Sequence, residues 1–224
     1  MNLKRMLSVI VLFAVFQVFT TQLGAEISWK FQKTNKGIKA YTRHVSKHNL
    51  KEFKGIMFVS GVRLSSLVAA FYDTASYTRW MKNCIKSSLL KKINSYERIS
   101  YTVIRTPWPT TDRDTVVYSK VSQDPKTRIV TIAIKGLPNY IPKKKKLVRV
   151  AMMKATWKFE PLKSGVIKVT YRTVTDPGGW LPNGIASLSI VDMPMSTMNS
   201  LRNILKKGRY ASANVNIIKE LKAN

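Results

Sequence analysis

The side chains that could do chemistry are few, and their spacing does not assemble them into a catalytic set. His44 and His48 are the two histidines. They stand in a segment that reads as strand end and turn, whereas a metal pair at that spacing needs a helix and further ligands. Cys84 is the one cysteine, so neither an intramolecular disulfide nor a cysteine metal cluster is available. A lone cysteine of this kind reads as a buried, inert thiol. Asp112 and Asp114 flank Arg113, and Asp176 opens a proline-glycine loop. Aspartates at such turns usually bond the local backbone. No G-x-S-x-G elbow, phosphate-cradling glycine loop or dinucleotide fingerprint occurs. The chain therefore reads as a binding protein rather than an enzyme, with no catalytic residue, metal or cofactor assigned.

Positive charge, by contrast, is abundant: 39 Lys+Arg stand against 11 Asp+Glu, a net of +28. Such a surface is drawn to polyanions. Its sharpest feature is Pro142 followed by Lys143, Lys144, Lys145 and Lys146, expected at an exposed hairpin end. Beside an anionic bilayer, each lysine contributes up to about 1 kcal/mol. Tyr140 and Ile141 are placed to dip into the interface. At the other end, Lys4 and Arg5 precede an apolar run from Met6 to Phe19, followed by Leu23-Gly24-Ala25. That order predicts a secretory signal over residues 1–25, with an uncleaved anchor as the alternative. Export to the periplasm or beyond makes an anionic membrane the expected partner and nucleic acid an unexpected one.

The 224 residues, 45% of them apolar, suit one domain with a sizeable core. Residues 26–210 are expected to form it and 211–224 a basic tail. Glu26 to Lys36 reads as a short helix or irregular segment, and Gly37–Val45 and Asn49–Ser60 as two strands. Leu64–Tyr72 has helical spacing, continued as a short turn to Met81. Six strand-like segments follow, roughly Ile85–Ile93, Arg98–Thr106, Thr115–Val121, Arg128–Lys135, Leu147–Glu160 and Val166–Thr175. Their short separators predict an antiparallel meander. In the last two, Ala155, Trp157 and Phe159, then Ile167, Val169 and Tyr171, alternate with polar residues. After Asp176-Pro177-Gly178-Gly179-Trp180-Leu181-Pro182 comes a long amphipathic helix through Ile185, Leu188, Val191, Met195, Met198, Leu201 and Leu205, interrupted by Pro194. A sheet with one apolar face invites that helix to lie across it, leaving a cavity if the sheet curves.

Several motifs carry a family resemblance. Pro107-Trp108-Pro109 with Arg113-Asp114 resembles the PWP-x-x-x-RD segment of START domains, the lipid-transfer modules related to the steroidogenic acute regulatory protein. Trp157 before a Pro161-to-Gly165 turn, the Asp176–Pro182 loop and the closing helix fit the same pattern in order, over roughly Ile27 to Tyr210. The resemblance implies an α+β helix-grip fold, with a curved antiparallel sheet around the C-terminal helix and an internal hydrophobic tunnel for one lipid. It implies non-catalytic lipid binding or transfer, with the loop before the helix and a neighbouring strand loop as gate and Trp180 near its rim. Sterol-binding members carry an acid and an arginine in the tunnel. Here the arginine's place falls on Ser119 and the acid's near Tyr101 or Val103, so a phospholipid is expected over a sterol. Arg105 is the candidate internal charge. Tyr101, Val103, Tyr118, Trp157, Tyr171, Val191, Met195 and Met198 are the expected lining of a monomeric carrier. The rival readings are an enzyme on the same fold, a cyclase or hydrolase of a hydrophobic substrate, and a polyanion-binding protein that uses no cavity.

Overall fold

The structure, a computed structural model, describes residues 28–45 and 50–221. The secretory signal expected over 1–25, the turn at 46–49 and His48 lie outside the described residues. Three strands open the fold: β1 (Lys30–Asn35), β2 (Ile38–Val45) and β3 (Leu50–Ser60). Helix α1 (Leu64–Tyr72), a 3-10 turn (Thr74–Ser76) and α2 (Tyr77–Trp80) lead to β4 (Cys84–Lys92), β5 (Glu97–Ile104), β6 (Arg113–Gln123) and β7 (Val130–Gly136). The two-residue β8 (Val148–Arg149), β9 (Met152–Pro161), β10 (Val166–Asp176) and the long α3 (Asn183–Lys206) complete it.

The strands form one sheet in the order β1-β2-β3-β10-β9-β7-β6-β5-β4. Every pairing on this path is antiparallel. The sheet grips α3, the expected helix-grip α+β fold, with β10 joining the opening strands to the meander. Alternation decides which side chains meet α3. Phe53 and Met57 on β3, Trp157 and Phe159 on β9, and Val169 and Tyr171 on β10 are buried with Met198, Leu201 and Leu205 of the helix. Gly55 allows the closest approach. A Cβ there would collide with Met198 Sδ and come within 2.8 Å of the Phe53 ring.

Three local readings are corrected. The segment expected as a short helix or irregular stretch over Glu26 to Lys36 is, in its described part, an edge strand: residues 30–35 pair with β2, and their side chains are mostly exposed, which removes the alternating apolar signal. Leu147–Glu160 is not one strand. Val148–Arg149 pairs in parallel with Arg113–Asp114, and the chain bends at Val150–Ala151, where the Ala151 amide donates to Asp176 O at 3.0 Å. The lysine run is therefore no hairpin end; it belongs to a crossover between β7 and β8 that covers the sheet's outer face.

A buried ion pair secures that crossover. Arg149 reaches Asp114 with both arms, Nε to Oδ1 at 2.8 Å and Nη2 to Oδ2 at 2.9 Å, the two side chains being 2% and 1% exposed. The same guanidinium donates to the carbonyls of Pro138, Ile141 and Pro142 at 2.6, 3.2 and 3.3 Å. Asp114 is thus structural, though through a distant arginine rather than its own turn. The segment 211–221 packs back on the fold: Ile218 is buried, and Glu220 accepts from the Leu64 and Ser65 amides at the start of α1, each at 2.9 Å. Replacing Gly55 with alanine would displace the Met198 thioether and the Phe53 ring from their seats. We expect Gly55→Ala to lower the unfolding free energy by about 1–3 kcal/mol in a denaturant titration, with part of the loss recovered by Met198→Ala.

Candidate functional site

Between the sheet's concave face and the first half of α3 lies a cavity of about 430 Å³, within the range typical of small-molecule sites. Its closed end is aromatic. Trp157 and Tyr171 stack at 3.9 Å between centroids and 12° between planes, and Phe71 sits edge-on to Trp157 and Trp80, each at 5.2 Å. Ile104, Ile134, Val150, Met153, Leu181, Ile185 and Leu188 line it toward the mouth. Burial pushes the Tyr171 hydroxyl up to about 12 and also raises that of Tyr77, whose hydroxyl donates to Phe71 O at 2.7 Å.

Into this apolar space β5 and β6 send polar side chains: Arg98, Ser100 and Thr102 from one, Arg113, Thr115 and Ser119 from the other. Arg98 is 6% exposed. Its guanidinium lies 3.3 Å from the Tyr72 ring centroid, and among the described residues its one hydrogen bond runs from Nη1 to Tyr72 O at 3.4 Å. Among the described residues its Nε has no hydrogen-bond partner, and neither has Trp80 Nε1, which lines the same cavity. No carboxylate of the described residues lies within ion-pair distance of Arg98, unlike Arg149. Burial holds its pKa below the usual arginine value.

Arg113 stands at the other end of the β5–β6 pair, opposite Ile104. It donates to Thr111 O at 2.6 Å and to Trp180 O at 2.9 Å, joining the loop after β5 to the loop before α3. Both loops are anchored locally. Asp112 Oδ1 accepts from the Thr106 amide at 2.8 Å, and Asp176 Oδ1 from the Gly178 amide at 2.9 Å. Trp108 is 91% exposed and Trp180 69%. Each loop thus presents one tryptophan to solvent beside the mouth.

Of the residues expected to line the cavity, Trp157, Tyr171 and Arg105 do. Arg105 is exposed at the mouth and is not an internal charge. Tyr101, Val103 and Tyr118 face the opposite way. With Ile99 and Val116 they belong to a second apolar cluster on the sheet's outer face, packed under Leu137, Ile141 and Leu147 of the crossover. Tyr118 donates to Glu97 Oε1 at 2.5 Å. Val191, Met195 and Met198 turn into the helix–sheet core; the cavity sees Ile185, Leu188, Met193 and Thr197 of α3 instead. Trp180 stands at the rim without lining the interior. Ser119 does face inward, but its cross-strand partner is Arg98, not Tyr101 or Val103. Sequence reasoning missed Arg98; the signal was its place directly across from Ser119. Ile141 is held in the outer cluster and cannot dip into a bilayer, while Tyr140 and Lys143–Lys146 are exposed. Lys144 lies 4.3 Å from the Tyr101 ring.

Metal and thiol chemistry gain no support. Among the described residues, no group of three His, Cys, Asp or Glu could hold a metal ion. Cys84 is buried, and burial raises its pKa.

A curved sheet gripping a helix over a cavity of this kind defines the helix-grip class. The START domain profile matches residues 14–207. A protein of Pseudomonas aeruginosa described as uncharacterised is 30% identical over 194 residues, which cover 87% of this chain and 94% of that one. The crystal structure of a STAR-related lipid transfer protein from Xanthomonas axonopodis aligns with a TM-score of 0.73 at 29% identity, covering 80% of this chain and 98% of its own. Human StAR-related lipid transfer protein 5 has the same fold, with a TM-score of 0.70 at 17% identity over 91% of this chain and 97% of its own. The chain belongs to the START domain family.

The aromatic end of the cavity has a measurable signature. A buried phenol whose pKa rises from 10.0 to about 12 contributes stability that is intact below pH 10 and lost as the pH climbs through 12. We expect Tyr171→Phe to lose less unfolding free energy than the native protein between those pH values, as read by denaturant titration.

Proposed function

We propose that the protein is a non-catalytic lipid carrier. It holds one lipid with its chains in the aromatic cavity and an anionic head group against Arg98. The observation that carries this reading is the buried guanidinium of Arg98, which lines a largely apolar cavity with no carboxylate of the described residues within ion-pair distance. Burying an unpaired charge costs several kcal/mol, and a ligand phosphate or carboxylate offsets that cost with charge-assisted hydrogen bonds. A phospholipid suits this site better than a sterol, whose hydroxyl brings no charge. Removing a two-chain lipid from a bilayer costs about 0.8 kcal/mol per methylene, on the order of 20 kcal/mol in all. The cavity of about 430 Å³ supplies replacement contacts for part of the chains, and opening of the gate would have to make room for the rest.

In this reading the protein is exported, acts as a monomer and meets an anionic membrane with its mouth. Exposed Trp108 and Trp180 beside the opening suit the interfacial zone of a bilayer. The Lys143–Lys146 run reaches the same end of the molecule through Leu147 and Val148, whose amide donates to Asp112 O at 3.0 Å. It supplies longer-range attraction to anionic head groups, with Tyr140 beside it. The Asp176–Pro182 loop and the first half of α3, up to Pro194, form the moving side of the gate.

Mass spectrometry of an organic extract from gently purified protein tests the cargo. We expect a phosphate- or carboxylate-bearing lipid at about one per chain, with Arg98→Met sharply reducing its retention. An uncharged lipid retained equally by both proteins would remove the head-group role. Docking is tested separately by flotation with phosphatidylglycerol vesicles. Changing Lys143–Lys146 to glutamate is expected to weaken binding at low salt, and Trp108→Ala with Trp180→Ala at all salt concentrations. Unaltered flotation in both variants would sink the docking step.

A further inference from the structure

The back of the sheet carries a different chemistry from the cavity. Trp157, Tyr171 and Ile132 line the cavity, so their strand neighbours Lys158, Arg172 and Thr131 point outward. On this outer face Lys135 lies directly opposite Lys154, and Arg172 directly opposite Lys54. The strands concerned are consecutive, β3-β10-β9-β7. Lys154 is paired with Val174, two residues from Arg172. A band of cations therefore crosses the sheet, one per strand, about 5 Å apart within a pair and about 7–8 Å apart on the diagonal.

Like charges placed directly opposite destabilise a strand pair. For Arg172 and Lys54 the structure supplies relief. Glu52 accepts from Arg172 at 2.8 Å and from Arg43 at 2.6 Å, and the Trp29 ring lies 4.3 Å from Lys54 Nζ. Lys135 and Lys154 receive none. Both are exposed, and neither has a carboxylate within ion-pair distance among the described residues, although Lys158 and Lys168 share Glu160 close by.

We propose that this outer face is a second binding site, centred on Lys135 and Lys154, for a flexible polyanionic chain bearing phosphate or carboxylate groups. Charge complementarity identifies the sign of the occupant and shape its kind. A sheet that curls around α3 has a convex back, which a planar bilayer touches only along a strip but a flexible chain can follow. Protein partners are disfavoured because their interfaces are poor in lysine and rely on buried aromatic anchors. Here Trp29 and Tyr41 are already covered by Lys54, at 4.3 and 4.8 Å. The site shares no residue with the cavity or its mouth, so it stands independently of the lipid reading.

The test is titration of the full chain with inorganic polyphosphate, followed calorimetrically between about 50 and 200 mM salt. The Lys135→Thr, Lys154→Thr double variant is expected to bind at least tenfold more weakly. Its plot of log affinity against log salt flattens by about 1–2. Lys126→Thr with Lys163→Thr removes the same charge at exposed strand-end turns and should leave binding near native. With no polymer present, the first double variant should also melt at a higher temperature than the native protein, because the like-charge pair is gone. Equal weakening in both double variants would reduce the effect to net charge and overturn the site, as would an absence of polyphosphate binding. Loss of vesicle flotation in place of polymer binding would assign the face to membranes instead. The lipid content of the same preparations reads the cavity separately.

Discussion

How near α3 can come to the sheet governs the rest of the molecule, and Gly55 decides it. Without a side chain on β3, Met198 seats against the strand and carries Leu201 and Leu205 down with it. The second half of the helix is therefore ordinary core. The first half has little such seating beyond Val191. From Ile185 to Pro194 it stands over Trp157, Tyr171 and the polar strand faces, and the separation between helix and sheet is the cavity. Pro194 lies near this boundary and cannot donate the hydrogen bond that would continue the helix toward Ile190. An anchored half and a standing half are thus divided where the helix is intrinsically weakest.

Two buried arginines show how differently one residue type is used. Arg149 is matched by Asp114 and by loop carbonyls, so its charge is spent inside the fold and it fixes the crossover to the outer face. Arg98 has an aromatic ring and one carbonyl, and much of its hydrogen-bonding capacity faces the cavity. The first is a closed account of donors and acceptors. The second is open toward whatever occupies the space beside it.

The fold could be read in the sequence wherever one strand face is apolar and the other wet, as along Trp157–Phe159 and Val169–Tyr171. It could not be read where both faces meet something. On β5, Tyr101 and Val103 are the apolar set, and the simplest rule sends them inward. They instead pack beneath the crossover, and the wet set of Arg98, Ser100 and Thr102 faces the cavity. A cavity with polar side chains along one wall inverts the rule at that point, and a one-residue change of parity moves every side chain with it. The helix erred in the same sense. Met195 and Met198 share the apolar stripe with the cavity residues, but the stripe is wider than the contact with the sheet. The neighbouring positions, Met193 and Thr197, face the space. Trp157 and Tyr171 were identifiable because their strands lie at the centre of the sheet, where only one side is apolar.

Arg113 gives the mouth a mechanical character distinct from that of the interior. One guanidinium holds a carbonyl from each of the two loops that present the exposed tryptophans, so neither loop can swing without straining or breaking the latch to the other. In the proposed carrier, affinity for a ligand would be set deep in the cavity, and the time it stays by how often this latch lets go. That reading gives equilibrium and residence time to different residues, Arg98 and Arg113, at opposite ends of the same pair of strands. The two can be tuned without disturbing each other.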